Sequence, residues 1–483
     1  MIDTTIPCQI GARVAGRWIH DPQHGTPVRD PATGDILARV PDVAAETALA
    51  IASAAAATPA PPAQRRDWLL RTAAAITAAA DDFARVITLE NGKSLSDAHG
   101  EVAYAASFFT DQAERLERLE PEALPGTVRD CQWTIRRRPI GVAGLIVPWN
   151  FPLAMLAKKL APCLAAGARA VIKPAPATPL STLMLLRALD DAGVPADHVH
   201  VLTGDAATIG RALCESPAVR LISFTGSTAV GRLLAAQAAP TVTRMSLELG
   251  GNAPFVICED VDVDATVKGL IANKLRGAGQ TCVCANRILV HERVQDAVAE
   301  ALAEQLTDLR LGHGLAPATD LGPLINRQAW DKVRRHETDA LAHGARRLFG
   351  VVSERPASDW AAYYAPVVLA DCGPSMALWR EETFGPLFAL CPFRDDTDAI
   401  RLANDTDYGL AGYVFSGDPA RAARIGAALD VGHLGVNTGT GPAPHAPFGG
   451  LKQSGYGHEG GDAGLDEFCD LQVVATPHTQ DTP

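Results

Sequence analysis

Gly141-Val-Ala-Gly-Leu-Ile-Val147-Pro-Trp-Asn150-Phe-Pro152 is the stretch on which the fold turns. Val142–Val147 is a short apolar run stopped by Pro148, and a helical pattern follows over 153–166. The same sentence is repeated downstream. Apolar runs at Ala170–Lys173, His200–Thr203 and Arg220–Thr225 precede helical patterns over 179–192, 206–215 and 227–238. Four strand–helix alternations predict an α/β fold with a parallel, doubly wound sheet. Such a sheet binds ligands at the carboxyl ends of its strands, with anionic groups at helix N-termini.

Upstream, Ala-rich helical stretches cover 43–57 and 64–90, the latter with Trp68, Leu69, Ala73 and Ile76 at helical spacing. Pro59, Pro61 and Pro62 separate the two, because proline breaks a helix interior. Thr127–Arg138 alternates polar and apolar residues as an exposed antiparallel strand does. Downstream, a second α/β segment runs from about 255 to 440, followed by a Gly-rich and then strand-like end. Two α/β domains with a small strand appendage are expected.

The chain has 483 residues, 47% hydrophobic and 20% charged, which suits a globular protein of two to four units and excludes disordered, collagen-like and disulfide-scaffold classes. Its net charge of −12 repels a polyanion, so no nucleic-acid partner is expected. No apolar run reaches the ~18–20 residues of a membrane span, so no membrane partner is expected either. Met1-Ile-Asp-Thr-Thr-Ile-Pro-Cys8 lacks the basic-then-apolar layout of a secretory signal. Ten scattered cysteines read as reduced thiols, and the expected location is cytoplasmic.

Several motif matches lack their physical context. Gly455-Tyr-Gly457-His-Glu-Gly460 fits the dinucleotide fingerprint, but no strand–helix frame surrounds it, and a flexible loop is expected there. Asn91-Gly-Lys-Ser94 echoes a phosphate loop, yet Ile87 stands where its first glycine belongs. Cys282 and Cys284 have neither the spacing nor the second pair of a zinc site, and no metal is expected.

Six phrases carry chemistry, the first five with a plainer alternative. Gly279-Gln-Thr-Cys282-Val-Cys284 puts a cysteine where a carbonyl can approach its sulfur; otherwise it is a buried, inert thiol. Leu247-Glu248-Leu249 sets an acid between leucines, either salt-bridged or poised as a base. Asn150, past the end of a strand, donates to an oxyanion or caps the next helix. Lys173 ends the next parallel strand, where a cofactor's ribose or phosphate would lie, or is a surface lysine. Phe224-Thr-Gly226-Ser227 opens a helix as a pyrophosphate cradle or an ordinary cap. Glu382, two residues before Phe384, can accept from ribose hydroxyls.

In this order the phrases resemble the aldehyde dehydrogenase superfamily along essentially the whole chain, most nearly its succinate-semialdehyde dehydrogenase branch. The branch's wording recurs in Glu90-Asn-Gly-Lys93, Phe224-Thr-Gly-Ser-Thr228, Ser246-Leu-Glu-Leu-Gly-Gly-Asn-Ala-Pro254, Gly279-Gln-Thr-Cys-Val-Cys-Ala-Asn-Arg287 and Pro447-Phe-Gly-Gly-Leu-Lys-Gln-Ser-Gly455. The resemblance implies a Rossmann-type NAD(P)-binding domain over 1–122 and 140–249 and a catalytic domain over 250–450. Oligomerisation strands over 123–139 and 460–483 would build a homodimer or homotetramer. It implies that Cys282 attacks an aldehyde, that Asn150 and the Cys282 N–H hold the oxyanion, and that Glu248 activates water. Lys173 and Glu382 would hold the two riboses, with Trp149, Phe224, Gly226, Ser227 and Phe384 completing the cofactor site.

Departures from the branch bear on specificity. Arg276 matches one of two arginines that grip a distal carboxylate, but Lys158 stands at the other and Pro442 at a loop serine; Gly277 replaces an asparagine. A small ω-anionic aldehyde is expected, succinate or glutarate semialdehyde first, with sulfonated, hydroxylated or neutral aldehydes as alternatives. Pro176 replaces an acid that favours NAD, so use of both NAD and NADP is expected. Cys284 is either a redox partner for Cys282 or a small residue packed beneath the site. A non-catalytic binding protein and a cofactor-free thiol hydrolase are the competing classes. Cys282, Glu248 and Asn150 argue against the first, and Lys173, Ser227 and Glu382 against the second.

Overall fold

Alternation of buried side chains explains the central sheet. Along Val142–Ile146, Val142 packs into one buried cluster while Ala143 and Leu145 pack into another; in Arg169–Lys173, Val171 opposes Ala170 and Ile172 in the same way. Successive side chains of a strand point to opposite faces, so both faces of this sheet are covered. The computed structural model describes residues 5–477; residues 1–4, and 478–483 of the expected terminal element, lie outside the described residues.

The sheet has eight strands in the order Arg17–Ile19, Ala12–Val14, Val199–Val201, Arg169–Lys173, Val142–Ile146, Val219–Thr225, Arg244–Glu248 and Gly455–Tyr456. Pairing is parallel from Val199–Val201 through Arg244–Glu248 and antiparallel at both edges. The intervening helices are Pro152–Ala166, Leu180–Asp191, Ala206–Glu215 and Thr228–Ala238, as the strand–helix rhythm predicts. A second sheet of seven strands runs Arg346–Phe349, Val367–Ala370, Leu387–Phe393, Ala285–His291, Ala253–Ile257, Ala411–Phe415 and His433–Val436, with its own buried cluster. Three antiparallel strands, Cys469–Pro477, Cys131–Pro139 and Glu122–Val128, form a separate small sheet.

Three local expectations need correction. The helix expected over 64–90 is two, Pro62–Ala78 and Ala80–Asn91, because Ala79 leaves helical geometry at φ −105°, ψ 26° without a proline or glycine to announce it. Thr127–Arg138 is not one strand but parts of two joined by a tight turn, in which Arg129 and Asp130 both take φ +55°. The 455–460 segment is no flexible loop: Gly455 and Tyr456 pair with Glu248 and Leu247, and Phe448 and Glu459 exchange backbone hydrogen bonds. A helix over Leu95–Glu114 had no sequence reading, and it faces the site described next. Among the described residues, no helix is long and apolar enough to cross a membrane.

Candidate active site

The carboxyl ends of four adjacent strands come level. Lys173 pairs in register with Ile146, Ile146 with Phe224 and Phe224 with Leu247, so Glu248 pairs with Thr225. A cavity of about 970 Å³ opens beyond these ends, and Trp149, Asn150, Lys158, Gly226, Ser227, Arg276, Cys282, Glu382 and Phe384 all line it. Lys173, Phe224, Glu248 and Cys284 do not line this cavity.

Cys282 follows a run of left-handed backbone, Gly277 at φ +58°, Ala278 at +59° and Gly279 at +77°. Glycine is required at the last of these twice over, because a Cβ on Gly279 would meet Gly385 backbone at 2.5 Å. Gln280 pins the turn from inside: its Nε2 donates to the Gly277 carbonyl (3.1 Å) and its Oε1 accepts from the Ile325 amide (3.0 Å). The Asn150 Nδ2 donates to the Gln280 carbonyl at 2.9 Å, which brings the amide to the cysteine loop. Burial, and then the nearby Glu382 carboxylate, push the Cys282 thiol up to about 12.

Glu248 is buried, and neither carboxylate oxygen has a hydrogen-bond partner. Burial, reinforced by Glu459, raises its pKa well above the usual carboxylate value, against the pull of Lys158 and Lys159. An unpaired buried carboxylate is costly when ionised, so the surroundings favour the protonated form of this group.

Two cations line the cavity in different states. Arg276 lies 4.7 Å from the centre of the Phe151 ring, and its Nε is buried without a hydrogen-bond partner. No carboxylate forms an ion pair with it among the described residues; Asp97, on the same cavity, accepts from the Gly277 amide at 2.9 Å. Lys158 is paired. Its Nζ lies 3.0 Å from Glu459 Oε2 and 3.9 Å from the centre of the Phe448 ring. Lys159 bonds the other Glu459 oxygen and donates to Ser223 Oγ at 3.0 Å. Burial alone would raise Glu459, but the two lysines outweigh it and bring the carboxyl down to about 2. The only trace of Glu459 in the sequence was the misleading glycine pattern that contains it. Nearby, the Tyr104 hydroxyl donates to the Pro442 carbonyl at 2.9 Å and ties down the loop that carries Pro442.

The remaining residues suit an extended dinucleotide. Gly226 leaves bare backbone at the start of the helix Thr228–Ala238; a Cβ there would lie 2.5 Å from Phe224 Cζ, since Phe224 packs in the core directly beneath. Ser227 is exposed and caps that helix, accepting from the Val230 amide at 3.4 Å. Lys173 sits in a separate small recess with Thr26, Val40, Pro176 and Thr203, where burial, against Asp205, lowers it to about 8. Glu382 accepts from the Gly251 amide at 3.1 Å, and burial lifts it to about 7. Trp149 and Phe384 meet edge to face at 5.6 Å, with Phe384 held at φ +59°. An exposed helix N-terminus, a cation two strands over, and a carboxylate on the same cavity as two aromatic rings fit a nicotinamide dinucleotide.

All ten cysteines are free. Cys284 is buried; its thiol donates to the Gly279 carbonyl (3.3 Å) and accepts from Lys274 Nζ (3.8 Å). Among the described residues, no group of three His, Cys, Asp or Glu is placed to hold a metal ion.

Comparison with known proteins agrees with this geometry. The model of the aldehyde dehydrogenase family matches residues 18–474. The succinate-semialdehyde dehydrogenase [NADP(+)] GabD of Escherichia coli K12 is 43% identical over 470 residues, 96% of this chain and 97% of that protein. The 3-sulfolactaldehyde dehydrogenase of Pseudomonas putida is 42% identical over 469 residues, 96% of each. The crystal structure of succinate-semialdehyde dehydrogenase from Burkholderia pseudomallei superposes with a TM-score of 0.94 at 45% identity, covering 97% of this chain and 98% of that one. Fold, cavity and relatives converge: the chain belongs to the aldehyde dehydrogenase family, enzymes that oxidise an aldehyde group with NAD or NADP as acceptor.

Proposed function

We propose that this enzyme oxidises a small aldehyde with an anionic group at its far end, succinate or glutarate semialdehyde first, to the corresponding carboxylic acid. The observation that carries this reading is Arg276, a cation without a carboxylate partner among the described residues, on the same cavity as Cys282. A guanidinium with a free edge is suited to carboxylate or sulfonate oxygens. Lys158, already paired with Glu459, contributes positive potential rather than a second free grip. The named relatives include one for a carboxylated and one for a sulfonated aldehyde, so a sulfonated substrate is the second reading.

In the proposed mechanism the Cys282 thiol gives up its proton, to ionised Glu248 or to solvent, and its sulfur bonds to the aldehyde carbon, giving a thiohemiacetal. The Asn150 amide and the Cys282 N–H hold the oxyanion. When bound, the nicotinamide supplies the acceptor for the hydride that leaves this carbon, and a thioester remains on Cys282. Glu248 takes a proton from water, the resulting hydroxide attacks the thioester, and the acid departs with the thiolate restored. Gly226 and Ser227 would hold the pyrophosphate, with Phe224 supporting Gly226 from beneath. Lys173 and Glu382 would take the two riboses, and Trp149 and Phe384 would flank the nicotinamide. Pro176 offers a ribose 2′ position neither attraction nor repulsion, which supports use of both NAD and NADP.

The proposed units are a cofactor domain over 1–122 and 140–249, a catalytic domain over 250–450, and a bridging element over 123–139 and 460–483, in whose described part Gly461–Glu467 is helix rather than strand and Cys469–Pro477 is the strand. On the small sheet Val128, Leu471 and Val473 are each more than half exposed, which supports its use in a homodimer or homotetramer. Ten free cysteines suit a reducing, cytoplasmic setting. Steady-state rates with NAD and NADP, on succinate, glutarate, sulfonated and neutral aldehydes, test the substrate. A clear kcat/KM preference for the anionic aldehydes is expected; preference for the neutral one overturns the reading.

A further inference from the structure

We propose that Lys93 and Glu101, neither of which touches the reacting atoms, are the positioning pair that fixes the oxyanion donor Asn150. The proposal rests on the role given to Asn150 above.

The two side chains form an ion pair of 2.6 Å and are almost wholly removed from solvent, at 1% and 0% exposure. Each also holds the turn that carries Asn150. Lys93 Nζ donates to the Asn150 carbonyl at 2.7 Å and lies 3.7 Å from the centre of the adjoining Phe151 ring. Glu101 Oε1 accepts from the amides of Leu153 (2.9 Å) and Ala154 (3.1 Å), the opening turn of the helix Pro152–Ala166. Those amides have no partner within their own helix, and a carboxylate there also suits the helix dipole. Asn91 adds a third hold: its Nδ2 donates to the Trp149 carbonyl at 3.0 Å, and its Oδ1 accepts from the Lys93 amide at 3.3 Å. The Asn150 carbonyl and the backbone that follows it are thereby bound to one buried ion pair, and the Trp149 carbonyl before it to Asn91. Only the Asn150 side chain is left to reach the cysteine loop.

The anchoring is built into one face of the helix Leu95–Glu114. Asp97, Glu101 and Tyr104 stand four and three residues apart, which puts them on the same face. Asp97 binds the Gly277 amide, Glu101 the Asn150 turn and Tyr104 the Pro442 carbonyl, three loops that line the one cavity. A charge pair in the middle of this row is expensive to bury unless its geometry is used, and its hydrogen bonds end at the Asn150 carbonyl and at the Leu153 and Ala154 amides just beyond it.

A double-mutant cycle tests the idea, with kcat, cofactor KM and melting temperature measured on Asn150→Ala, Lys93→Met and the combined variant. Asn150→Ala should lose about 10²–10³ in kcat. Lys93→Met should lose roughly 10²-fold, the cost of misplacing a catalytic group by about 1 Å, with cofactor KM unchanged. The combined variant should be no slower than Asn150→Ala alone, because Lys93 acts only through Asn150. A merely structural Lys93 predicts losses that multiply, and that result, or wild-type kcat in Lys93→Met, overturns the proposal. Wild-type kcat in Asn150→Ala instead overturns the oxyanion assignment beneath it. If Lys93→Met does not fold, Glu101→Gln is read the same way, since its amide oxygen still accepts from Leu153 and Ala154 while the charge opposite Lys93 is gone.

Discussion

Lys158 reaches the cavity wall with its ammonium 3.0 Å from the Glu459 carboxylate, in a pair that is 3% and 4% exposed. Burial works against the Lys158 charge, but Glu459 outweighs it and holds the ammonium above the ordinary lysine value. The same lysine pulls the pKa of Glu248 down, against burial and Glu459. Its position therefore bears on the proposed water-activating step as well as on the proposed substrate contact.

Lys158→Met should show that connection in a pH profile. Glu248 acts as a base only when ionised, so the rate rises as pH climbs through its pKa, which already lies well above the usual value. Removing the cation raises that pKa further, and the acid limb of kcat should move to higher pH while the alkaline plateau stays within a few-fold. An acid limb that does not move would separate Lys158 from Glu248.

Arg276→Met tests the anion contact. A hydrogen bond to a charged group is worth about 1.5–3 kcal/mol, so kcat/KM for succinate semialdehyde should fall roughly 10- to 150-fold. A neutral aliphatic aldehyde should lose far less, because it never used the guanidinium. Equal losses on both substrates would make Arg276 a structural residue.

Gly251→Ala probes how closely the cysteine loop is packed. A Cβ at Gly251 would stand 2.3 Å from the Cys282 carbonyl oxygen, and no flexible side chain is there to yield. Overpacking of this kind typically costs about 1–3 kcal/mol of stability. Here the loop must give way, so kcat should drop by well over tenfold in protein that still binds cofactor. Retention of wild-type kcat would mean that the loop tolerates displacement.

What the sequence disclosed and what it concealed divide along physical lines. The parallel strands from Val142 to Thr225 were legible because each buries both faces and is followed by a helix, a local pattern that needs no partner to be seen. Cys282, Glu248 and Asn150 stood out because their neighbours make no sense for a bland core. Glu459 was invisible, since its two lysines lie 300 residues away in sequence and only folding brings them together. The break at Ala79 and the Arg129–Asp130 turn were missed because residues of ordinary helical or strand character take unusual backbone angles there. Phe224 reads as a cofactor contact in its motif, yet alternation turns its ring into the core beneath Gly226.

Glu248→Gln separates the two halves of the reaction. If Glu248 serves only the hydrolytic half, Cys282 still attacks the aldehyde and the hydride still leaves, so one equivalent of reduced nicotinamide per active site should appear in a burst. Turnover should then stop, with the acyl group retained on Cys282 and visible as added mass in the intact protein. Cys282→Ala should give neither burst nor added mass while binding cofactor normally. A Glu248→Gln enzyme without a burst would mean that the same carboxylate also takes the Cys282 proton. That role has a physical motive, since the thiol is held up to about 12 and cannot ionise unaided near neutral pH. The burst amplitude as a function of pH discriminates between these cases: a thiol that ionises without Glu248 recovers its burst only as the pH approaches its own high pKa, whereas a thiol with another base nearby shows the full burst at neutral pH.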